Sequence, residues 1–212
     1  MYNITLISTV HKEYGNCNSN ELLKIIENIR PDVIFLEAQK DNFSRYAQMI
    51  FSQFGIFNER LEIKAIQKYS QNHTFEYVPV LDIGLSDEFE TKIKIVSDNK
   101  DLQRLLDNYN FLETNGGFQF LNCEESIALQ EEMRELENRI INNKIMQQRV
   151  KASIDEYENS MLHNIYTFCN NKSFNMAIFM CGAAHRKSII EKIGEYVKNS
   201  ETELNWTFYN NP

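Results

Sequence analysis

The chain predicts an α/β fold with a mainly parallel central sheet, on three observations. Short runs rich in β-branched and aromatic residues alternate with stretches of helical periodicity. The first strand, helix and second strand fit within about 35 residues, the span of a βαβ unit with a right-handed crossover. Two strand-like runs from opposite ends of the chain finish in the same way, small-x-x-His before a helix: Ser8-Thr-Val-His11 and Gly182-Ala-Ala-His185. The expected sheet has about four to six strands flanked by helices. Residues 1–212 are expected to form one domain, with a helical insertion near 85–170 and a long helix or helical pair before the last strand.

The elements follow in order. Ile4 to Val10 is β-branched and strand-like, and Ser19 can cap a helix carrying Leu22, Leu23, Ile25, Ile26 and Ile29. Pro31 stops that helix, and Asp32-Val-Ile-Phe-Leu36 reads as a buried strand. An aromatic-rich helix is expected from Phe43 to Phe54, and another, capped by Asn58, holding Leu61, Ile63, Ala65, Ile66 and Tyr69. Phe75 to Leu81 alternates as a strand, with Pro79 marking an edge.

From Leu85 to Cys123 a helix is suggested by Leu102, Leu105 and Leu106, and Asn115-Gly116-Gly117 reads as a turn. From Glu124 to Phe168 the pattern is helical throughout. Val150, Ile154, Tyr157, Met161, Ile165 and Phe168 form one apolar stripe, and Asn142-Asn143 marks a bend. Met176 to Cys181 is a strand, Arg186 to Val197 an amphipathic helix, and Leu204 to Tyr209 a last strand, expected antiparallel.

Net charge is −8, with 22 basic against 30 acidic side chains. That balance disfavours nucleic acid, which needs a positive surface to release counterions. The longest apolar stretch, Met176 to Ala184, is too short to span a bilayer. With no basic leader and no C-x-x-C spacing among Cys17, Cys123, Cys169 and Cys181, a cytoplasmic protein with reduced thiols is expected.

In an open α/β sheet, ligands gather beyond the carboxyl ends of the strands. His11 and His185 stand there, as does Glu37 after the second strand and Asp82 after the third. Two imidazoles and two carboxylates suit a divalent cation (Mn, Co, Zn or Fe), and equally a metal-free acid/base set. The bland alternatives are helix-capping histidines and solvated loop acids. Arg45 can orient Glu37 or bind an anionic transition state, although most arginines at such positions do neither. Glu62 lies at a border between helix faces. His163 reads as a packing or rim residue, and the acidic runs at 131–137 and 155–158 as solvated helix faces.

These residues resemble the TraB/PrgY-like family, within the superfamily of Tiki proteases, GumN-like and ChaN-like proteins and erythromycin esterases. Ser8-Thr-Val-His11 looks like the first G-x-x-H motif with Ser for Gly, and Gly182-Ala-Ala-His185 matches the last in full. Arg30-Pro-Asp-Val-Ile-Phe-Leu-Glu37 is similar to the strand that carries the family's Glu. Arg45 falls where an Arg is frequent, Glu62-Ile-Lys-Ala-Ile66 looks like the family's Glu-x-x-Ala-Ile helix, and Asp82 like its Asp. The family's Arg on the helix before the last strand has no counterpart, since Glu158-Asn-Ser-Met161 stands there.

The resemblance implies a hydrolase. The leading expectation is what Tiki-type members imply, a metal-dependent, peptidase-like hydrolase, here with His11, Glu37, Asp82 and His185 around the cation and Arg45 or Glu62 orienting groups; a non-catalytic peptide- or haem-binding regulatory module is an alternative. For erythromycin-esterase relatives it means a metal-independent enzyme using His and Glu, and for ChaN-like relatives haem binding, which Tyr2, Tyr14, Tyr46 or Tyr157 can serve. The expected partner is a peptide or small-molecule substrate, with a second copy of the chain a further possibility through the long helical region.

Overall fold

A computed structural model describes residues 2–39, 52–84, 86–199 and 202–210. Five strands, β1 (Tyr2–Thr9), β2 (Val33–Gln39), β3 (Glu76–Leu81), β4 (Met176–Gly182) and β5 (Leu204–Phe208), form one sheet in the order β3-β2-β4-β1-β5. Every pairing is parallel. The antiparallel last strand expected from the sequence is therefore corrected: a helix joins β4 to β5, and such a crossover returns the chain in the same direction. β1 and β2 run parallel but are not neighbours, because β4 lies between them, with Thr9 opposite Gly182 and Leu36 opposite Met180. Pro79 does sit on an edge strand, where its missing N–H costs nothing.

Seven α-helices cover the sheet among the described residues: α1 (Ser19–Ile29), α2 (Leu61–Ser70), α3 (Asp87–Val96), α4 (Lys100–Leu121), α5 (Glu124–Ile141), α6 (Lys144–Asn171) and α7 (Arg186–Asn199). Residues 43–51 of the helix expected from Phe43 to Phe54, with Arg45 and Tyr46 on it, lie outside the described residues. Asn18, rather than Ser19, caps α1, accepting from the backbone N–H groups of Asn20 and Glu21. Arg60 precedes α2, and Asn58 caps the turn before it by accepting from the Arg60 N–H at 2.8 Å. Asn115 to Gly117 lies within α4, where Gly117 (φ 59°, ψ −144°) kinks the helix in a region open only to glycine. The bend expected at Asn142-Asn143 separates α5 from α6.

Two apolar layers follow from the period-two alternation of the strands. Ile7, Ile34, Leu36, Ile178 and Met180 face α1, α2 and α4. Ile4, Leu6, Val33, Phe35, Phe179 and Cys181 face α6 and α7, against Met161, Leu162, Ile165, Ile189 and Ile193. All four cysteines are free thiols. Among the described residues no helix is long and apolar enough to cross a membrane.

Candidate active site

The same alternation hands the strand tips to different helix layers. Thr9 shares the parity of Ile7 and meets α2, while Glu37 shares that of Phe35 and meets α6. Since β1 and β4 are adjacent and in register to Thr9 and Gly182, His11 and His185 leave neighbouring strand ends. His11, Glu37 and His185 border one cavity of about 450 Å³, within the range of small-molecule sites.

On the α2 side, His11 Nδ1 lies 3.0 Å from Glu62 Oε1, and Thr9 Oγ1 donates to the same oxygen at 2.9 Å. Arg60 Nε donates to Glu62 Oε2 at 3.1 Å, and its terminal nitrogen to the backbone carbonyl of Glu37 at 2.9 Å. Glu62 is wholly buried. Burial opposes its charge, but the His11 hydrogen bond and the Arg60 charge outweigh that and hold its carboxyl below the ordinary range. An ionised carboxylate only accepts, so His11 carries its proton on Nδ1 and leaves Nε2 without a protein partner among the described residues. The His11 side chain is 54% exposed. Glu62 is thus no border residue; it is enclosed, with Ala65, Ile66 and Tyr69 on the buried side of α2.

On the α6 side, each oxygen of Glu37 accepts one hydrogen bond. Tyr157 donates its hydroxyl to Oε1 at 2.7 Å, and the Gly182 N–H donates to Oε2 at 2.6 Å. Burial, then the charge of Glu37, raises the Tyr157 hydroxyl well above its usual value, so it stays a donor. His185 Nδ1 lies 2.9 Å from Glu158 Oε1, and its Nε2 is 3.8 Å from Glu37 Oε1. Glu158 Oε2 accepts from Ser188 and from Lys192, each at 2.5 Å. Burial again opposes the Glu158 charge, and the bonds from His185, Lys192 and Ser188 overcome it and keep its carboxyl low. For His185, burial disfavours the imidazolium, but Glu158 and Glu37 together raise its pKa.

Glu158 corrects the expectation of a solvated acidic run at 155–158, being 0% exposed. The signal lay in the sequence: Glu158, Leu162, Ile165 and Cys169 step by four, three and four, placing a carboxylate in a buried stripe. Arg60 also went unnoticed, and only its contacts reveal it. His163, read as a packing or rim residue, is exposed.

Asp82 stands apart. It is exposed, does not border the cavity, and accepts from Asn164 at 2.7 Å and Ser160 at 3.3 Å on α6. Among the described residues no group of three or more His, Cys, Asp or Glu side chains is placed to hold a metal ion. Both Glu37 oxygens accept protein hydrogen bonds, and each histidine gives Nδ1 to a buried carboxylate, which leaves Nε2 as the ring nitrogen available for chemistry. The expected shell of His11, Glu37, Asp82 and His185 is not assembled. Tyr157, a candidate haem ligand, has its hydroxyl committed to Glu37.

No family model matches the chain, and no curated protein matches it. Among solved structures the chain is similar to an erythromycin esterase mutant in its open conformation, at 14% identity and a TM-score of 0.28. The match covers 98% of this chain and 60% of that one.

Proposed function

We propose that the chain is a metal-independent hydrolase of a small ester or lactone, working through two histidine–carboxylate pairs. One observation carries the reading: two imidazoles on one cavity wall each have Nδ1 held by a separate, fully buried glutamate, Glu62 and Glu158. A buried carboxylate behind Nδ1 fixes the tautomer and aims Nε2, the arrangement that turns an imidazole into a directed base or acid.

The two environments divide the roles. His11, half exposed and with Nε2 unpartnered, takes a proton from the attacking water. Water oxygen bonds to the carbonyl carbon and the tetrahedral adduct forms. His185, held toward its charged form by Glu158 and Glu37, stabilises the developing oxyanion. It then delivers its proton as the carbon–oxygen bond breaks, giving acid and alcohol. Glu62, Glu158 and Arg60 are positioning residues. Tyr157 and the Gly182 N–H hold Glu37 in place beside His185. Within the superfamily that the motifs resemble, the esterase branch is the one whose His and Glu chemistry this donor arrangement fits. The metal-dependent peptidase is the weaker reading, because Asp82, one of its expected ligands, accepts from Asn164 and Ser160 and does not border the cavity.

The experiment is hydrolysis of a panel of small esters, lactones and peptides before and after exhaustive chelation. Ester or lactone turnover is expected to survive chelation, and His11→Asn to lower kcat by about 10²–10⁴-fold. In Glu62→Gln, kcat is expected to fall while KM holds, as befits a residue acting through His11. Activity lost on chelation and restored by Zn or Mn would overturn the proposal in favour of the peptidase reading, as would undiminished turnover by His11→Asn.

A further inference from the structure

The histidines stand at one end of their cavity, and an apolar wall leads away from them. Four helices build that wall: Phe89 on α3, Leu102, Leu106 and Tyr109 on α4, Met133 on α5 and Ile154 on α6. Helix α4 sets its direction. Leu102, Leu106, Tyr109 and Glu113 step by four, three and four, so they share one helix face, and all four border the cavity. The Glu113 end is fastened beside the strand tips, because the neighbouring Thr114 carbonyl accepts from the Asn16 N–H at 2.9 Å in the loop after His11. From Glu113 back to Leu102 the helix rises by about 16 Å.

Charge on this wall is answered within the protein. Lys92 pairs with Glu137 at 2.5 Å and lies over the Phe89 ring, 5.4 Å from its centroid. Burial raises the proton affinity of Glu113, which favours its neutral form beside hydrocarbon. Leu102 is 3% exposed and Leu106 42%, so Leu106 stands at the rim while Leu102 lies deep. An apolar wall that faces a solvent-filled cavity gains free energy when hydrocarbon covers it, and a single extended helix face is covered best by a linear chain.

We propose that this wall is an acyl-chain subsite and that the substrate is an ester of an unbranched fatty acid. The inference rests on the hydrolase reading and names its substrate class. The ester carbonyl lies between His11 and His185, and the chain runs along α4 past Tyr109 toward Leu106. Recognition is by burial of methylenes, so selectivity grows with chain length until the chain reaches the rim.

The test is hydrolysis of 4-nitrophenyl acetate, butyrate, hexanoate and octanoate. In wild type kcat/KM is expected to rise by roughly two- to fourfold per added methylene, levelling off at the longer esters. Leu106→Asp is expected to lower the octanoate-to-acetate ratio by at least about tenfold, the worth of several methylenes. Phe111 is also on α4, but it is 66% exposed and outside the cavity wall, so Phe111→Asp is expected to keep the wild-type ratio. Circular dichroism and Tm confirm the fold of both variants. A ratio that falls equally in both variants, or in neither, overturns the subsite. Equal turnover of all four esters in wild type overturns the subsite and leaves the hydrolase reading standing. Calorimetry with octanoate and acetate separates the remaining cases. Octanoate binding that Leu106→Asp weakens, in a protein that hydrolyses no ester, sustains the subsite and sinks the hydrolase reading. Neither turnover nor octanoate binding overturns both.

Discussion

At the scale of single residues, the site consists of charges whose surroundings are specified atom by atom, and the pH response follows from them. His185 titrates higher in the folded protein than the ordinary 6.5, because Glu158 and Glu37 outweigh its burial. Its contribution to stability is therefore complete below 6.5 and disappears as pH rises through the elevated folded value. Glu158 runs the other way, with stability present above 4.5 and lost as pH falls through its depressed value. Urea midpoints measured against pH are expected to decline above 6.5 in wild type, and to decline less in His185→Asn. An equal decline in both would show that the pair is not coupled to folding. Three residues that border the cavity, His11, Glu37 and His185, were legible as strand-tip residues in the sequence, because a polar residue ending a β-branched run lies where strand tips open. Glu62 and Glu158 were harder. Each is a charge within a buried helical stripe, and composition alone reads such runs as solvated. Arg60 carries no periodic signal at all; only its span from Glu62 to the Glu37 carbonyl marks it.

At the scale of elements, the sheet edge beside β5 shows how a helix end can finish a strand pair. β5 stops at Phe208, opposite Leu6, so the next backbone groups of β1 on that side have no strand to meet. The Asn122 side chain meets them instead. The Ser8 N–H donates to its Oδ1 at 2.7 Å, and its Nδ2 donates to the Ser8 carbonyl at 3.0 Å. The buried Arg186 guanidinium donates to the same Oδ1 at 2.8 Å and to the Tyr209 carbonyl at 3.1 Å. One amide therefore ties α4, β1 and α7 together. Asn122→Ala leaves the Ser8 N–H, the Ser8 carbonyl and one Arg186 donor buried and unpaired, so a loss of about 2–5 kcal/mol is expected in chemical denaturation. A loss below about 0.5 kcal/mol, the size of a surface change, would mean these groups find other partners. The sequence carries no sign of this, since Asn122 lies in the stretch from Leu85 to Cys123, where the periodic pattern weakens. The strands themselves were legible because each is a short β-branched or apolar run. The direction of β5 was not, as five residues with alternating burial fit either sense until the α7 crossover is considered.

At the scale of the whole molecule, stability concentrates where both faces of the sheet are covered. Ile4 to Thr9 of β1 (apart from Thr5), Val33 to Ala38 of β2 and Ala177 to Cys181 of β4 are buried, whereas α3 exposes Ile93 and Ile95. Hydrogen exchange is expected to be slowest in those three strands, releasing only with global unfolding, and faster in α3. Comparable protection in α3 and β4 would contradict this gradient. The strand order has a further consequence, for how the chain comes off the ribosome. β2 and β1 emerge early but are joined only through β4, whose first residue is Met176. Until that late segment arrives, the nascent polypeptide carries a β2–β3 pair and a lone β1 with bare hydrogen-bonding edges, and His185 has not yet reached its pocket. Synthesis arrested before Met176 would yield an aggregation-prone species without a complete cavity, so the sheet and the cavity close in a single event.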